Sequence, residues 1–483
     1  MRAMSAVLAL ALTLSACARP TPEQQVVNDA AEALGGHDRV AGLRTIVLAG
    51  RGTAWNLGQD MTMDATGQQF ELRPYKASID VTAGRLRVEQ TRTPNFLYYQ
   101  GPGAQAQVYG LDGDVAYTVS PSGAASRAPA DVARDRRAEY YHHPAVLVRA
   151  ALEPGATLAN ARTADGARLV DITPPGSDRA FTLAIDAGTN LPLRISSPAA
   201  NPNLGDVVIT TSFDEWANAS GIYLPLNVTV TTDTYKTAEY HYTDLDVNEA
   251  TGELAAPEAA RNAEPPAPRP IEVTVEKVGT GVWLLAGGSH NSALVEFADH
   301  LLLIEAPQSE ARAEAVIAKA RETVPGKPLT YLLSTHHHFD HTGGLRTAVA
   351  EGLTVITHAS NREYYEAAAS RPHTLVPDRL AAAPKPITVE TVEDSRVIED
   401  GSQRMEIYHL SGNPHGDAIL MAYFPKDRLI VEADAFSSSF DYNPYAANLL
   451  KHIRERKLDV ARIVPLHGAP VSFDAFVKAV EAQ

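Results

Sequence analysis

Cysteine is almost missing from this chain: Cys17 is the only one in 483 residues. No internal disulfide is therefore possible, and beyond Cys17 no thiolate is available as ligand or nucleophile. Positive charge is also short. The formal net charge is −16, which argues against non-specific attraction to phosphate backbones and so against a nucleic-acid partner. Long low-complexity tracts are absent, and the apolar run 6–14 is too short to span a bilayer as a helix. What remains is an ordinary balance, 45% hydrophobic and 21% charged, in a chain long enough for two or three domains.

The first residues carry their own pattern. Arg2 precedes the apolar run, which ends in Leu14-Ser15-Ala16-Cys17. A charged start, a short apolar region and small residues before a cleavage point read as a secretory signal. The tetrapeptide resembles the bacterial lipobox, in which the Cys is lipidated and becomes the mature N-terminus. That resemblance implies a periplasmic protein held to a membrane through lipid on Cys17. Ala18, rather than Asp, leans towards the outer membrane.

Four segments follow from the patterning. Residues 1–17 are the expected signal, 18–250 a first domain, 251–270 a linker and 271–483 a second domain. A polar tether is expected from Arg19 to about Asn28, then a short helix stopped by Gly35-Gly36. From 45 to about 247, short alternating runs separated by turns such as Asp112-Gly113 predict a mainly antiparallel β domain with one helix over 131–152. Within that helix, His142 and His143 point about 100° apart, which favours packing over shared ligation. Pro257, Pro265-Pro266, Pro268 and Pro270 predict an extended, semi-rigid linker. Beyond it the pattern turns to alternating strands and helices, an α/β class.

The densest chemistry lies at His336-His337-His338-Phe339-Asp340-His341, four His and one Asp in six positions, directly after the apolar run 329–333 and before Gly343-Gly344. Imidazole and carboxylate are the usual ligands of a catalytic dication. The spacing His336-x-His338-x-Asp340-His341 resembles the signature of the metallo-β-lactamase superfamily. That resemblance covers about 271–483 and implies an αββα sandwich and two metal ions. It implies His336, His338 and His415 on the first ion, Asp340, His341 and His467 on the second, and Asp434 between them. Each of the later three follows an apolar strand: His415 in Asn413-Pro414-His415-Gly416, Asp434 after Val431-Glu432-Ala433, and His467 before Gly468. His337 and His409 are expected to be structural, and His358 to line either the cleft or an ordinary loop.

The expected activity is a binuclear hydrolase of small esters, lactones, thioesters or related molecules. Zn is the expected metal, with Fe or Mn also suited. A dication brings the pKa of bound water to about 7, making hydroxide the nucleophile, with Asp340 orienting it. Alternatives are a β-lactamase-like amide hydrolase, a redox member of the family, or a lipid- or lipoprotein-binding protein with an accessory metal domain. The lack of a later Cys departs from the cysteine-ligated β-lactamases, and Glu305-Ala306-Pro307 stands where many members carry Asp-Gly. Substrate contacts are expected from 286–291, where Gly287-Gly288 suggests a mobile loop, and from 437–445, where Tyr442 and Tyr445 offer hydroxyls.

Overall fold

A computed structural model describes residues 19–62, 68–96 and 103–482. The expected signal therefore lies outside the described residues. Among those described, no helix is long and apolar enough to cross a membrane.

The first domain is one thirteen-stranded antiparallel sheet. Its first long strand, Thr45–Trp55, pairs with its last, Tyr235–Val247, and sequential neighbours run outward from that pair to both edges. The alternation read from the sequence underestimates the strands. Gly205–Ala219, for example, runs for 15 residues with alternate side chains buried over its first half. The tether expected before Asn28 is instead a helix, Pro22–Ala33, started by Pro22 and by a capping box between Thr21 and Gln24. The single helix expected over 131–152 is two, Ala130–Tyr141 and Pro144–Leu152. Pro144 cannot continue a helix that needs its N–H, but it suits the first turn of a new one. His142 packs rather than ligates: its ring nitrogens meet Thr211 Oγ1 at 2.8 Å and Ser197 Oγ at 2.9 Å. Part of the expected linker also packs, since Ala256 and Ala260 are buried against Tyr117.

The second domain holds a seven-stranded and a six-stranded sheet. A shared core between them includes Phe297, Met405, Phe424 and Val464. Truncating a fully buried side chain such as Phe424 to Ala costs about 3–5 kcal/mol. Helices Glu310–Thr323 and Leu345–Glu351 cover the outer face of the larger sheet, and Ala446–Glu455 and Phe473–Glu481 cover the smaller. This is the αββα sandwich. Leu301–Ile304, Leu329–Leu333 and Thr354–His358 run parallel, as do Leu429–Glu432 and Arg462–Pro465. The loops after such strands leave the sheets on one side, where α/β proteins place their ligands.

The two domains are joined by specific contacts. Asp206 accepts from the Thr374 and Leu375 amides at 2.8 and 3.0 Å, and Arg371 pairs with Asp233. Leu57, Leu204 and Val207 pack with Phe339 and Tyr364. Phe339 is part of the His-rich loop, so the first domain reaches the site directly.

Candidate metal centre

Each residue expected from the sequence stands just past a strand of the sandwich. His336 and His338 follow Leu329–Leu333, and Asp340 and His341 lie on the short helix Phe339–Thr342. His415 sits in the turn after Arg404–His409, its amide donating to Asn413 Oδ1 at 2.9 Å. Asp434 follows Leu429–Glu432 with φ +66°, and His467 follows Arg462–Pro465. Gly468 beyond it has φ +130°, and a Cβ there would lie 2.4 Å from Ser438 Oγ. Only glycine allows that close approach.

Two four-residue clusters result, with a third grouping in which Glu305 joins His336 and His341, one imidazole from each. His336, His338, His415 and Asp434 form one; His290, Asp340, His341 and His467 form the other. Asp434 serves both. Its Oδ2 lies 3.0 Å from His415 Nε2 and 3.8 Å from His336 Nε2, while its Oδ1 lies 2.9 Å from His467 Nε2 and 3.2 Å from His341 Nε2. Ligand atoms around a tetrahedral Zn at 2.0–2.1 Å stand ~3.3 Å apart. The nitrogen pairs His336–His415 and His341–His467 are each at 3.3 Å. His338 Nδ1 is buried with no hydrogen-bond partner, although it belongs to the first cluster. These residues fit a divalent metal at each cluster.

The electrostatics agree. Burial, helped by neighbouring imidazoles, holds His336 and His338 well below the usual range, so their lone pairs are free. Burial also pulls His341 down, but Asp434, Asp340 and Glu305 outweigh it and hold it well above. Burial would raise Asp434, yet His341, His467 and His415 hold it well below. A field that favours a proton among these carboxylates favours a dication for the same reason.

Four supporting residues were not legible as such in the sequence. His290 Nε2 donates to Asp340 Oδ2 at 3.0 Å and lies with its ring 4.0 Å from that of His467. Glu305 is fully buried, accepts from the Thr335 amide at 2.6 Å, and lies 3.5 Å from His341 Nδ1. The other two come from the first domain. Gln59 Nε2 donates to Asp340 Oδ1 at 2.6 Å, and the Asp60 carbonyl lies 2.8 Å from His338 Nε2 and 2.9 Å from His337 Nε2. Gly58 permits this approach: its φ is +77°, and a Cβ would stand 2.3 Å from the Phe339 ring. Met61 O accepts from the Asp417 amide at 3.1 Å.

The remaining candidates fall outside the clusters. His337 is buried on the Asp60 carbonyl, and His409 meets Asp417 O at 2.7 Å. His358 lies with its ring 4.1 Å from that of His409, tilted by 39°, and bonds Ser360, so it holds its own loop rather than the cleft. Tyr445 is buried with its ring 5.0 Å from His415, whereas Tyr442 is 52% exposed. In the loop of Gly287-Gly288, the Gly287 amide donates to Asn291 Oδ1 at 3.2 Å. Arg312 donates to Glu272 O at 3.1 Å and His290 O at 3.3 Å, and a Cβ on Gly287 would press to 2.3 Å from Glu272 O.

Residues 285–474 match the family model described as Metallo-beta-lactamase superfamily. The 2,4-dinitroanisole O-demethylase subunit alpha of Nocardioides sp. (strain JS1661) is 25% identical over 171 residues, 35% of this chain. The match takes in 48% of that subunit, so the chain spans about half of the curated relative. Among solved structures, the DIM-1 metallo-beta-lactamase is 16% identical, with 44% of this chain and 100% of that one covered at a TM-score of 0.35. The metallo-beta-lactamase FIM-1 of Pseudomonas aeruginosa, in a mono-zinc form, is 17% identical, with 44% and 96% covered at 0.35. Residues 285–474 thus form a metallo-β-lactamase superfamily domain, carried behind a thirteen-stranded antiparallel sheet.

Proposed function

We propose that this chain is an exported, lipid-anchored hydrolase that holds two divalent metal ions and cleaves small esters, lactones or thioesters. The observation that carries this reading is Asp434, whose two oxygens face two separate imidazole clusters. His336, His338 and His415 would hold one ion, Asp340, His341 and His467 the other, with Asp434 shared and His290 beside the second. Zn suits this nitrogen and oxygen set, as do Fe and Mn. When bound, such ions polarise a carbonyl or phosphoryl group and lower the pKa of water from ~15.7 to about 7.

The chain's own residues supply the rest. Burial would raise Asp340, but His341 and His290 hold it well below the ordinary range, so it stays a carboxylate. Gln59 and His290 fix its two oxygens, leaving it oriented to accept a hydrogen bond from an attacking water. Burial keeps the Tyr445 hydroxyl protonated, a donor rather than a nucleophile. In the segment 437–445, expected to meet substrate, Phe440 and Tyr442 are 37% and 52% exposed, which suits a substrate with an apolar side group. Export and anchoring are supported by Leu14-Ser15-Ala16-Cys17.

The test combines metal analysis with a substrate panel on the purified full chain. The panel holds esters, lactones, thioesters, phosphodiesters and β-lactams. It also includes 2,4-dinitroanisole, because the curated relative is named for that compound. About two metal ions per chain and ester, lactone or thioester turnover are expected, with turnover lost in His336→Ala and His415→Ala while the fold persists. A metal-free chain, or full turnover in both variants, overturns the reading.

A further inference from the structure

Away from the metal centre, the thirteen-stranded sheet, helix Ala130–Tyr141 and the following His142, His143 and Pro144 line a cavity of about 490 Å³ that is partly open to solvent. Its wall is written in period two. Tyr75, Ala77 and Ile79 face it from one strand, and Val228 and Val230 from another, as expected for one face of a pleated sheet. Small side chains at Ala77, Ala199 and Ala238 leave the room. Protein interiors are otherwise close-packed, with few voids larger than a water molecule. This one has the size of a small-molecule site.

The wall divides chemically. Leu48, Leu86, Phe213 and the two valines make most of it hydrocarbon. Among its polar groups, Tyr109 Oη donates to Glu139 Oε1 at 3.1 Å, and the Arg136 guanidinium lies behind, 4.9 Å from the Tyr109 ring centre. Asp135 and Arg179 also line the cavity. An anionic end group would meet the Asp135 and Glu139 carboxyls there, and a cationic one the Arg179 guanidinium. Burial raises the Glu139 carboxyl above its ordinary range, towards a form that both donates and accepts.

We propose that this cavity binds a slender hydrocarbon or aromatic molecule bearing one uncharged hydrogen-bonding end, its body against the apolar wall and its end at Tyr109 and Glu139. The site is independent of chemistry at the metal centre, and it gives the first domain a binding role of its own.

N-Phenyl-1-naphthylamine, whose emission rises in apolar surroundings, is titrated into the purified full chain. Saturable enhancement at about one probe per chain is expected. Decan-1-ol should displace the probe at least tenfold more effectively than decanoate or decylammonium. Val230→Phe and Ala238→Phe fill the cavity from neighbouring strands and should each weaken the probe at least tenfold, with metal content and substrate turnover unchanged. Tyr109→Phe removes one oxygen and keeps the proposal testable if a filled variant does not fold. It should cut the alcohol's advantage by about fivefold, the value of one hydrogen bond near 1 kcal/mol. No saturable enhancement, equal or better displacement by a charged chain, undiminished probe binding in folded Val230→Phe or Ala238→Phe, or an undiminished alcohol preference in Tyr109→Phe overturns the proposal.

Discussion

The main-chain carbonyl of Asp60, in the first domain, accepts from His338 Nε2 of the second at 2.8 Å. Donation from Nε2 fixes the tautomer and leaves Nδ1, which has no other partner, as the free lone pair. An imidazole of the first cluster is thus oriented by a backbone atom nearly 280 residues earlier in the chain.

The Gly58→Val variant tests this relationship. Its Cβ would collide with the Phe339 ring at a positive φ, displacing the Asp60 carbonyl. Loss of such an orienting partner typically costs 10- to 100-fold in metal affinity. Chelator competition on the folded variant should show that loss, and an unchanged affinity would count against the orienting role.

Gln59→Ala separates the two clusters. Its amide holds Asp340, which belongs only to the cluster of His290, His341 and His467. Metal analysis should show a fall towards one ion per chain, with the His336, His338 and His415 position still filled. Asp434→Ala should instead deplete both positions, because its oxygens face both clusters. Equal depletion in the two variants would contradict the assignment.

Glu305→Gln probes the floor of the site. The amide oxygen can still accept from the Thr335 amide, but the charge 3.5 Å from His341 Nδ1 is lost. Metal affinity should fall by about tenfold while the apo protein melts within a few degrees of the parent. A large drop in apo melting temperature with unchanged affinity would make Glu305 a purely structural residue.

Stability should depend on pH through the first domain. Burial holds His142 down to about 4 and His143 down to about 3. Between those values and the unfolded value of ~6.5, the unfolded chain binds more protons, so stability falls as pH falls. The contribution is fully present above ~6.5, and each imidazole adds a slope of up to about 1.4 kcal/mol per pH unit within the window. Urea unfolding of metal-free protein at pH 7 and pH 5 measures it. His142→Asn should flatten the dependence, and an unaltered slope would refute the assignment.

Legibility in the sequence followed range. The sandwich could be read because its strands are short apolar runs, each ending in a motif that names its own chemistry. His336 to His341, His415, Asp434 and His467 were visible for that reason. Gln59 and Asp60 were not, because a backbone carbonyl carries no residue signature and its partner lies in another domain. Glu305 stood out only as a departure from the family's Asp-Gly and His290 only as part of the segment 286–291, and neither pattern says that they meet His341 and His467. In the first domain, alternation revealed strands but not their lengths, since a pleated face mixing Ala, Thr and Tyr has weak contrast. The single helix over 131–152 failed at one proline, and the polar tether before Asn28 concealed a capping box.

The pairing of Thr45–Trp55 with Tyr235–Val247 sets a schedule for synthesis. The centre of the sheet cannot zip until residue 247 has been made, so the first strand must wait, unpaired on that edge, for almost half the chain. The strand that waits ends just before Gly58 to Met61, the segment that later seals the His-rich loop. The seal is therefore among the first parts translated, while Asp434 and His467 are among the last. Ions that reach a nascent chain early meet an incomplete ring of ligands, so stable loading belongs to the finished molecule, after both domains have folded.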